Sequence, residues 1–262
     1  MADNILHEQR DGIATITINR PERRNAVGYE GWVELQRTVE GIAEDDGVRV
    51  VVITGAGHHA FSAGADIRDF DRYRADSTQA RVYQAAFAGA MDAIEALPVP
   101  TVCLIKGFCV GGGCELTLAA DLRIAADNGR FGIPAARLGI VIGYGEMHRL
   151  VRLVGPGNAS YILLSGRIID ANEALRIGLV NEVVPLGEID GRVQELAGEM
   201  ARLAPLSQRQ HKQIMRRVLQ DPSLETLTPE EEGLPFANFD SEDFREGRSA
   251  FVEQRQPEFK GR

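Results

Sequence analysis

The sequence predicts an α/β fold, and three observations carry that prediction. Short β-branched runs alternate with amphipathic stretches between Ile13 and Val184. Turn-forming residues separate them, and after about Pro185 the patterning is helical only. The 262 residues, 44% of them hydrophobic, suffice to bury one full-sized core.

The first expected strand runs from Ile13 to Ile18 and stops at the turn Asn19-Arg20-Pro21. Trp32, Val33, Leu35, Val39 and Ile42 then recur at helical spacing until Asp45-Asp46-Gly47. Val48 and Val50 to Ile53 read as a strand buried on both faces, ending at Thr54-Gly55-Ala56-Gly57. A helix is expected from Gln79 to Leu97, with Val82, Ala86, Phe87, Ala90, Met91 and Ile94 as its apolar face. Pro98 and Pro100 end it, and Thr101 to Ile105 is the next β-rich run. Gly111-Gly112-Gly113 leads into a small-residue helix through about Ala120, and Glu146 to Leu153 reads as another helix. Leu122 to Ala125 and Leu179 to Val184 read as further strands. Val193, Leu196, Met200 and Leu203 mark a helix, Gln213 to Leu219 falls within the next, and Ser241 to Gln254 forms the last.

Composition excludes several classes of function. A net charge of -9 argues against a nucleic-acid surface. No run reaches the roughly eighteen apolar residues a membrane span needs. Met1-Ala2-Asp3-Asn4 has neither the basic start nor the apolar run of a signal peptide, so a cytoplasmic protein is expected. Cys103, Cys109 and Cys114 lack the paired spacing of a zinc site and are expected as buried free thiols, with no metal bound. Gly55-Ala56-Gly57-His58-His59-Ala60 loosely matches a dinucleotide-binding fingerprint, but another turn follows it where a helix should begin.

Two runs of small residues carry the chemistry. Ser62-Ala63-Gly64-Ala65-Asp66 and Gly111-Gly112-Gly113-Cys114-Glu115 allow close backbone approach and can aim two N–H groups at one oxygen. That is the geometry of an oxyanion hole. Ser62 has no local base and reads as a turn serine; His58, His59 and His148 read as surface or packing residues. Arg209, His211, Lys212, Arg216 and Arg217 read as a solvated basic face, with phosphate binding as the alternative.

Glu115 stands among Cys114, Leu116, Leu118, Ala119 and Ala120, so its helix should be buried. A buried carboxylate without partners costs several kcal/mol, so it neutralises, pairs or serves chemistry. Desolvation favours its protonated form and the helix N-terminus its ionised form, a balance suited to proton transfer. A capping or salt-bridged glutamate is the alternative.

These residues resemble the crotonase (enoyl-CoA hydratase/isomerase) superfamily over nearly the whole chain. The resemblance rests on Asn19-Arg20-Pro21 with Asn25-Ala26, on Ala60 to Ile67, on Gly111 to Leu116, on Phe131-Gly132-Ile133-Pro134 and on Glu246 to Phe251. It implies a spiral of ββα units over residues 1–200 and a C-terminal helical region, residues 201–262, that builds trimers or dimers of trimers. It also implies an acyl-CoA substrate, with coenzyme A part of that substrate and no other cofactor. By position, the N–H groups of Ala65 and Gly112 hold the thioester oxygen. Ala63, Ala65, Asp66 and Ile67 line the adenine site through backbone contacts, Arg24 and Ala26 lie along the pantetheine–phosphate path, and Phe251 reaches the CoA site of a neighbouring subunit.

The family's hydratases set two glutamates on one water. Glu115 matches the first; Ala135 stands where the second would be, in Pro134-Ala135-Ala136. A lysine usual in the tail is replaced by Gln254, with Arg255 adjacent. The resemblance therefore implies hydration of a 2-enoyl-CoA, with double-bond isomerisation, thioester hydrolysis or CoA-thioester binding as alternatives. Gly143-Tyr144-Gly145-Glu146 occupies a loop that can supply a substitute: Glu146 or the Tyr144 hydroxyl reaches the acyl group, or Glu146 only caps its helix. Arg68 to Thr78 and the helix after it are expected to line the acyl-tail pocket.

Overall fold

The computed structural model describes residues 4–262; Met1 to Asp3, where the expected core and the reading of the N-terminus begin, lie outside the described residues. Strands β1 (Ile5–Arg10) and β2 (Ile13–Ile18) form an antiparallel hairpin across Asp11-Gly12, both at positive φ. Such a two-residue turn matches the right-handed twist of its strands. β1 went unread because its polar residues from His7 to Arg10 face solvent along a sheet edge. Helix α1 (Tyr29–Ala43) follows and buries Trp32, Leu35, Val39 and Ile42, the spacing the sequence shows.

A spiral then builds two sheets at once. β3 (Val50–Gly55) leads to β4 (Ala60–Ser62), then to the short helix α2 (Phe70–Tyr73) and the long helix α3 (Ser77–Ala96). β5 (Thr101–Ile105), β6 (Phe108–Val110) and helix α4 (Gly112–Thr117) make the next turn. β7 (Leu122–Ala126), β8 (Arg130–Gly132) and helix α5 (Tyr144–Ser165) make the third. In each turn the first strand joins one sheet and the second the other, so β3, β5 and β7 run parallel, and β4, β6 and β8 likewise. β9 (Ile169–Asp170) closes the small sheet antiparallel to β8. Helix α6 (Ala171–Arg176) and β10 (Glu182–Val184) complete the large one, in the order β1-β2-β3-β5-β7-β10.

The central parallel strands β3, β5 and β7 of the large sheet are buried on both faces, as parallel strands are. Val51, Ile53, Cys103 and Ile105 join a core with Trp32, Phe87, Met91 and Ile94 from α1 and α3. Val50, Val52, Val102 and Leu104 on the other face pack on Ile189 and Val193 of helix α7 (Ile189–Ala201). Each fully buried Val or Ile contributes roughly 1.5–3 kcal/mol. Helices α8 (Pro205–Gln220), α9 (Pro229–Ala237) and α10 (Glu242–Glu253) end the chain.

Several expectations are corrected. Val82 is exposed and Tyr83 takes the inward position on α3. The glycine-led helix stops at Thr117, and only Glu182 to Val184 of the last expected strand pair in the sheet. α5 extends to Ser165 across a break at Gly155, whose φ is 74°. Three of the five basic residues of α8 are paired within the chain, whereas His211 is exposed and the Arg209 Nε has no partner among the described residues. Lys212 Nζ donates to Asp121 at 2.6 Å and to the Val99 carbonyl, Arg216 caps the carbonyls of Glu95 and Leu97 at the end of α3, and Arg217 pairs with Asp221 and Glu231. The cysteines are free and buried, as expected.

Candidate active site

Two glycines press the small-residue runs together. Gly64 has φ of 91°, and a Cβ there would lie 2.7 Å from the Val110 carbonyl and 2.8 Å from the Gly112 nitrogen. A Cβ at Gly113 would lie 2.5 Å from the Ser62 carbonyl. The end of β4 and the start of α4 can meet only because those atoms are missing. Ser62 serves the same junction: its hydroxyl donates to the Asn25 carbonyl at 2.7 Å and accepts from the Gly64 N–H at 3.1 Å.

Asn25 organises the turn beneath. It is fully buried, takes φ of 55°, accepts from the Arg20 N–H and donates to the carbonyls of Ala56 and Ala60. Val27 and Ala65 form a parallel bridge through the Gly64 carbonyl and the Asp66 N–H. Neither the Ala65 nor the Gly112 N–H donates to a backbone carbonyl among the described residues. Gly112 opens α4, where a helix leaves its first N–H groups without internal partners.

Ala65, Gly112 and Glu115 all line one cavity of about 190 Å³. The Glu115 side chain is buried and has no hydrogen-bond partner among the described residues. Burial first, then the nearby Glu146 charge, push its pKa up to about 8, against a smaller opposing effect of Arg74. The neutral form of the carboxyl is therefore favoured at pH 7, and it shares a cavity with two residues whose N–H groups have no partner among the described residues.

Ala135 lies in the wall of the same cavity, where it offers only a methyl group. Glu146, in the first turn of α5, is buried without lining the cavity and makes no capping hydrogen bond. Gln84 Nε2 donates to its Oε1 at 3.0 Å; its Oε2 has no partner and lies directly under Gly143, where a methyl group would collide with it. Tyr144 is 97% exposed and outside the cavity.

The remaining expected residues divide. Ala63, Ala65 and Ile67 line the cavity. Arg24 is exposed, its guanidinium 5.3 Å from the centre of the Phe108 ring, and Ala26 is buried with its carbonyl accepting from Arg20. The Asp66 side chain is occupied by Arg20 at 2.9 Å and by the Arg68 N–H, its backbone N–H donates to the Val27 carbonyl, and its carbonyl accepts from the Asp69 N–H. Phe251 is exposed on α10, and Arg255 is held by Glu246 and Glu253.

The profile of the enoyl-CoA hydratase/isomerase family matches residues 8–262. The chain belongs to that family. A crotonyl-CoA hydratase of Syntrophomonas wolfei is 38% identical, the match covering 98% of each chain. A short-chain enoyl-CoA hydratase of Clostridium acetobutylicum is 36% identical over 99% of each. Among solved structures, an enoyl-CoA hydratase/carnitine racemase from Magnetospirillum magneticum superposes with a TM-score of 0.96 at 39% identity, over 100% of this chain and 97% of that one. The enoyl-CoA hydratase of Bacillus anthracis gives 0.93 at 34%, over 99% and 100%. The spiral is thus the crotonase fold.

Within this crotonase fold, the segment from Arg68 to Thr78 and the helix after it do line the cavity, as expected, through Phe70, Arg74, Gln84 and Phe87, although the sequence singled out neither Arg74 nor Gln84. Sequence reasoning also missed the chain from Trp32 Nε1 to the Tyr83 hydroxyl at 2.8 Å and on to the Val27 carbonyl. Trp32 was legible as a core position of α1, but nothing local in the sequence pairs it with Tyr83.

Proposed function

We propose that the protein hydrates a 2-enoyl-CoA thioester, with Glu115 as its acid/base and the Ala65 and Gly112 N–H groups as the oxyanion hole. The observation that carries this reading is the unpartnered carboxyl of Glu115 sharing one cavity with those two free donors. The thioester carbonyl makes Cβ electrophilic once its oxygen is stabilised as charge develops. Each preorganised donor supplies about 3 kcal/mol to that transition state. The neutral Glu115 carboxyl passes its proton to Cα while its other oxygen takes a proton from the water that bonds to Cβ. The carboxyl ends as it began, so one residue does the work divided between two in the family's hydratases.

Glu146 acts through Glu115 in this reading. Its charge, fixed by Gln84 below Gly143, favours the protonated form of Glu115. Tyr144 has no part, since it points to solvent. A second reading, double-bond isomerisation, is favoured by Ala135: its methyl cannot orient a water, and one carboxylate suffices to carry a proton along the acyl chain.

Coenzyme A would run past Arg24 and Ala26 and along the backbone of residues 63–67, with no other cofactor. Among the described residues no cluster could hold a metal, and no helix is long and apolar enough to cross a membrane. The three free thiols suit a cytoplasmic location. The core of residues 1–200 would end with α7, and residues 201–262 would build a trimer or a dimer of trimers. Exposed Phe236, Phe239, Phe251 and Val252 support that assembly and the delivery of Phe251 to a neighbouring copy's CoA site. Product analysis with crotonyl-CoA tests the reaction: 3-hydroxybutyryl-CoA is expected, and a shifted double bond or free CoA as sole product overturns hydration.

A further inference from the structure

Among the described residues lining the cavity, Arg74 carries the only positive charge. It sits between α2 and α3, with its guanidinium carbon 4.8 Å from the centre of the Phe70 ring and 4.7 Å from that of Tyr83. Both rings hold the cation by its face. Stacking of this kind leaves the N–H donors at the guanidinium edge available for in-plane hydrogen bonds.

Those donors are unused. No carboxylate, carbonyl or hydroxyl of the described residues accepts from the Arg74 side chain. Asp66 and Asp69 do not line the cavity and are occupied elsewhere, Asp66 by Arg20 at 2.9 Å and Asp69 by the Tyr29 N–H at 3.2 Å. Glu115, the other ionisable group of the cavity besides Tyr83, makes no hydrogen bond to it either. Around Arg74 the cavity is apolar, with Ile67, Phe70, Leu138 and Ile142. A neutral alkyl chain entering there would strip water from the cation and return nothing. A carboxylate would meet the edge donors in a two-point pair, the geometry for which guanidinium is shaped.

We infer that Arg74 selects acyl chains by their far end, and that the substrate is a 2-enoyl-CoA whose chain terminates in a carboxylate. The thioester oxygen is placed at Ala65 and Gly112, the reacting carbons at Glu115, and the terminal carboxylate at Arg74. This assignment rests on the hydratase reading above.

Two matched comparisons test it. The first measures hydration of hex-2-enoyl-CoA and of the six-carbon 2-enoyl-CoA bearing a terminal carboxylate, by the wild type, Arg74→Met and Arg74→Lys. The wild type is expected to favour the carboxylate-bearing substrate in kcat/KM by about tenfold or more, the scale of one charged hydrogen-bonded pair. Arg74→Met should abolish or invert that ratio, chiefly through KM, and Arg74→Lys should restore part of it. A wild-type preference for the neutral chain, or a ratio the same in all three proteins, overturns the inference. The second comparison measures calorimetric binding of the saturated analogues hexanoyl-CoA and adipyl-CoA, which involves no chemistry. Tighter adipyl-CoA binding that Arg74→Met removes supports the inference even if no substrate is hydrated, an outcome that would sink only the hydratase reading. Equal binding of the two analogues by the wild type overturns it.

Discussion

Gln84 Nε2 donates to Glu146 Oε1 at 3.0 Å, and the other oxygen of that carboxylate has no partner although it is buried. A half-satisfied buried carboxylate is costly, so its retention needs a reason. The reason offered is electrostatic: after burial, the Glu146 charge is the next cause that raises the Glu115 pKa and so favours its protonated form.

Removing that charge should move the pH dependence. Glu115 is needed protonated, so wild-type kcat/KM with crotonyl-CoA should fall as the pH rises through about 8. Glu146→Gln keeps the side chain's shape but removes the repulsion that favours protonated Glu115. Its Glu115 pKa therefore drops and the decline begins at lower pH. Superimposable pH profiles for the two proteins would remove Glu146 from the account.

Stability should carry the same signature. The Glu115 pKa is raised from 4.5 to about 8 on folding, so the native state holds a proton that the unfolded chain releases between those values. The associated stability is fully present below pH 4.5, is lost steadily as the pH rises to about 8, and changes no further above it. At pH 7 the loss is roughly 3 kcal/mol. Glu115→Gln escapes it, so this variant should melt higher than the wild type at pH 7 to 8 and converge with it near pH 4. Thermal melts across that range check the sign.

Gly64→Ala should damage turnover more than affinity. The added methyl meets the Val110 carbonyl and the Gly112 nitrogen in a backbone conformation already at φ of 91°. Displacing one oxyanion donor costs on the order of a hundredfold in kcat. Steady-state kinetics should show that loss with KM changed much less, whereas an unaltered kcat would mean that the Gly112 N–H is not aimed at the substrate.

Asn25→Ala tests the scaffold beneath the site. It removes hydrogen bonds to Arg20, Ala56 and Ala60 and leaves buried backbone groups unpaired. A loss of about 2–4 kcal/mol is expected in urea denaturation.

How much of this was legible in the chain depends on range. The long elements were readable because their periodicity is local: Trp32, Leu35, Val39 and Ile42 mark one face of α1 whatever lies opposite. The three-residue strands β4, β6 and β8 were not, since they are too short to show alternation and exist only because each spiral turn lays one beside the last. Glu115 stood out because its sequence neighbours are apolar. Glu146 was picked out as a group that reaches the acyl chain or caps its helix, but its burial beside Gln84, 62 positions earlier, could not be read from the loop Gly143-Tyr144-Gly145. Arg74 lies in a polar stretch and gains its meaning from stacking on Phe70 and Tyr83, which only the tertiary packing of α2 against α3 produces.

The central claim is that one carboxyl, Glu115, carries both proton transfers beside the Ala65 and Gly112 donors. Hydration of crotonyl-CoA by Glu115→Gln, followed by loss of the enoyl-thioester absorbance, tests it most directly. The account predicts a fall in kcat of about a thousandfold or more, with acyl-CoA still bound, as expected when the group that moves the protons is removed. Turnover within tenfold of the wild type would contradict it.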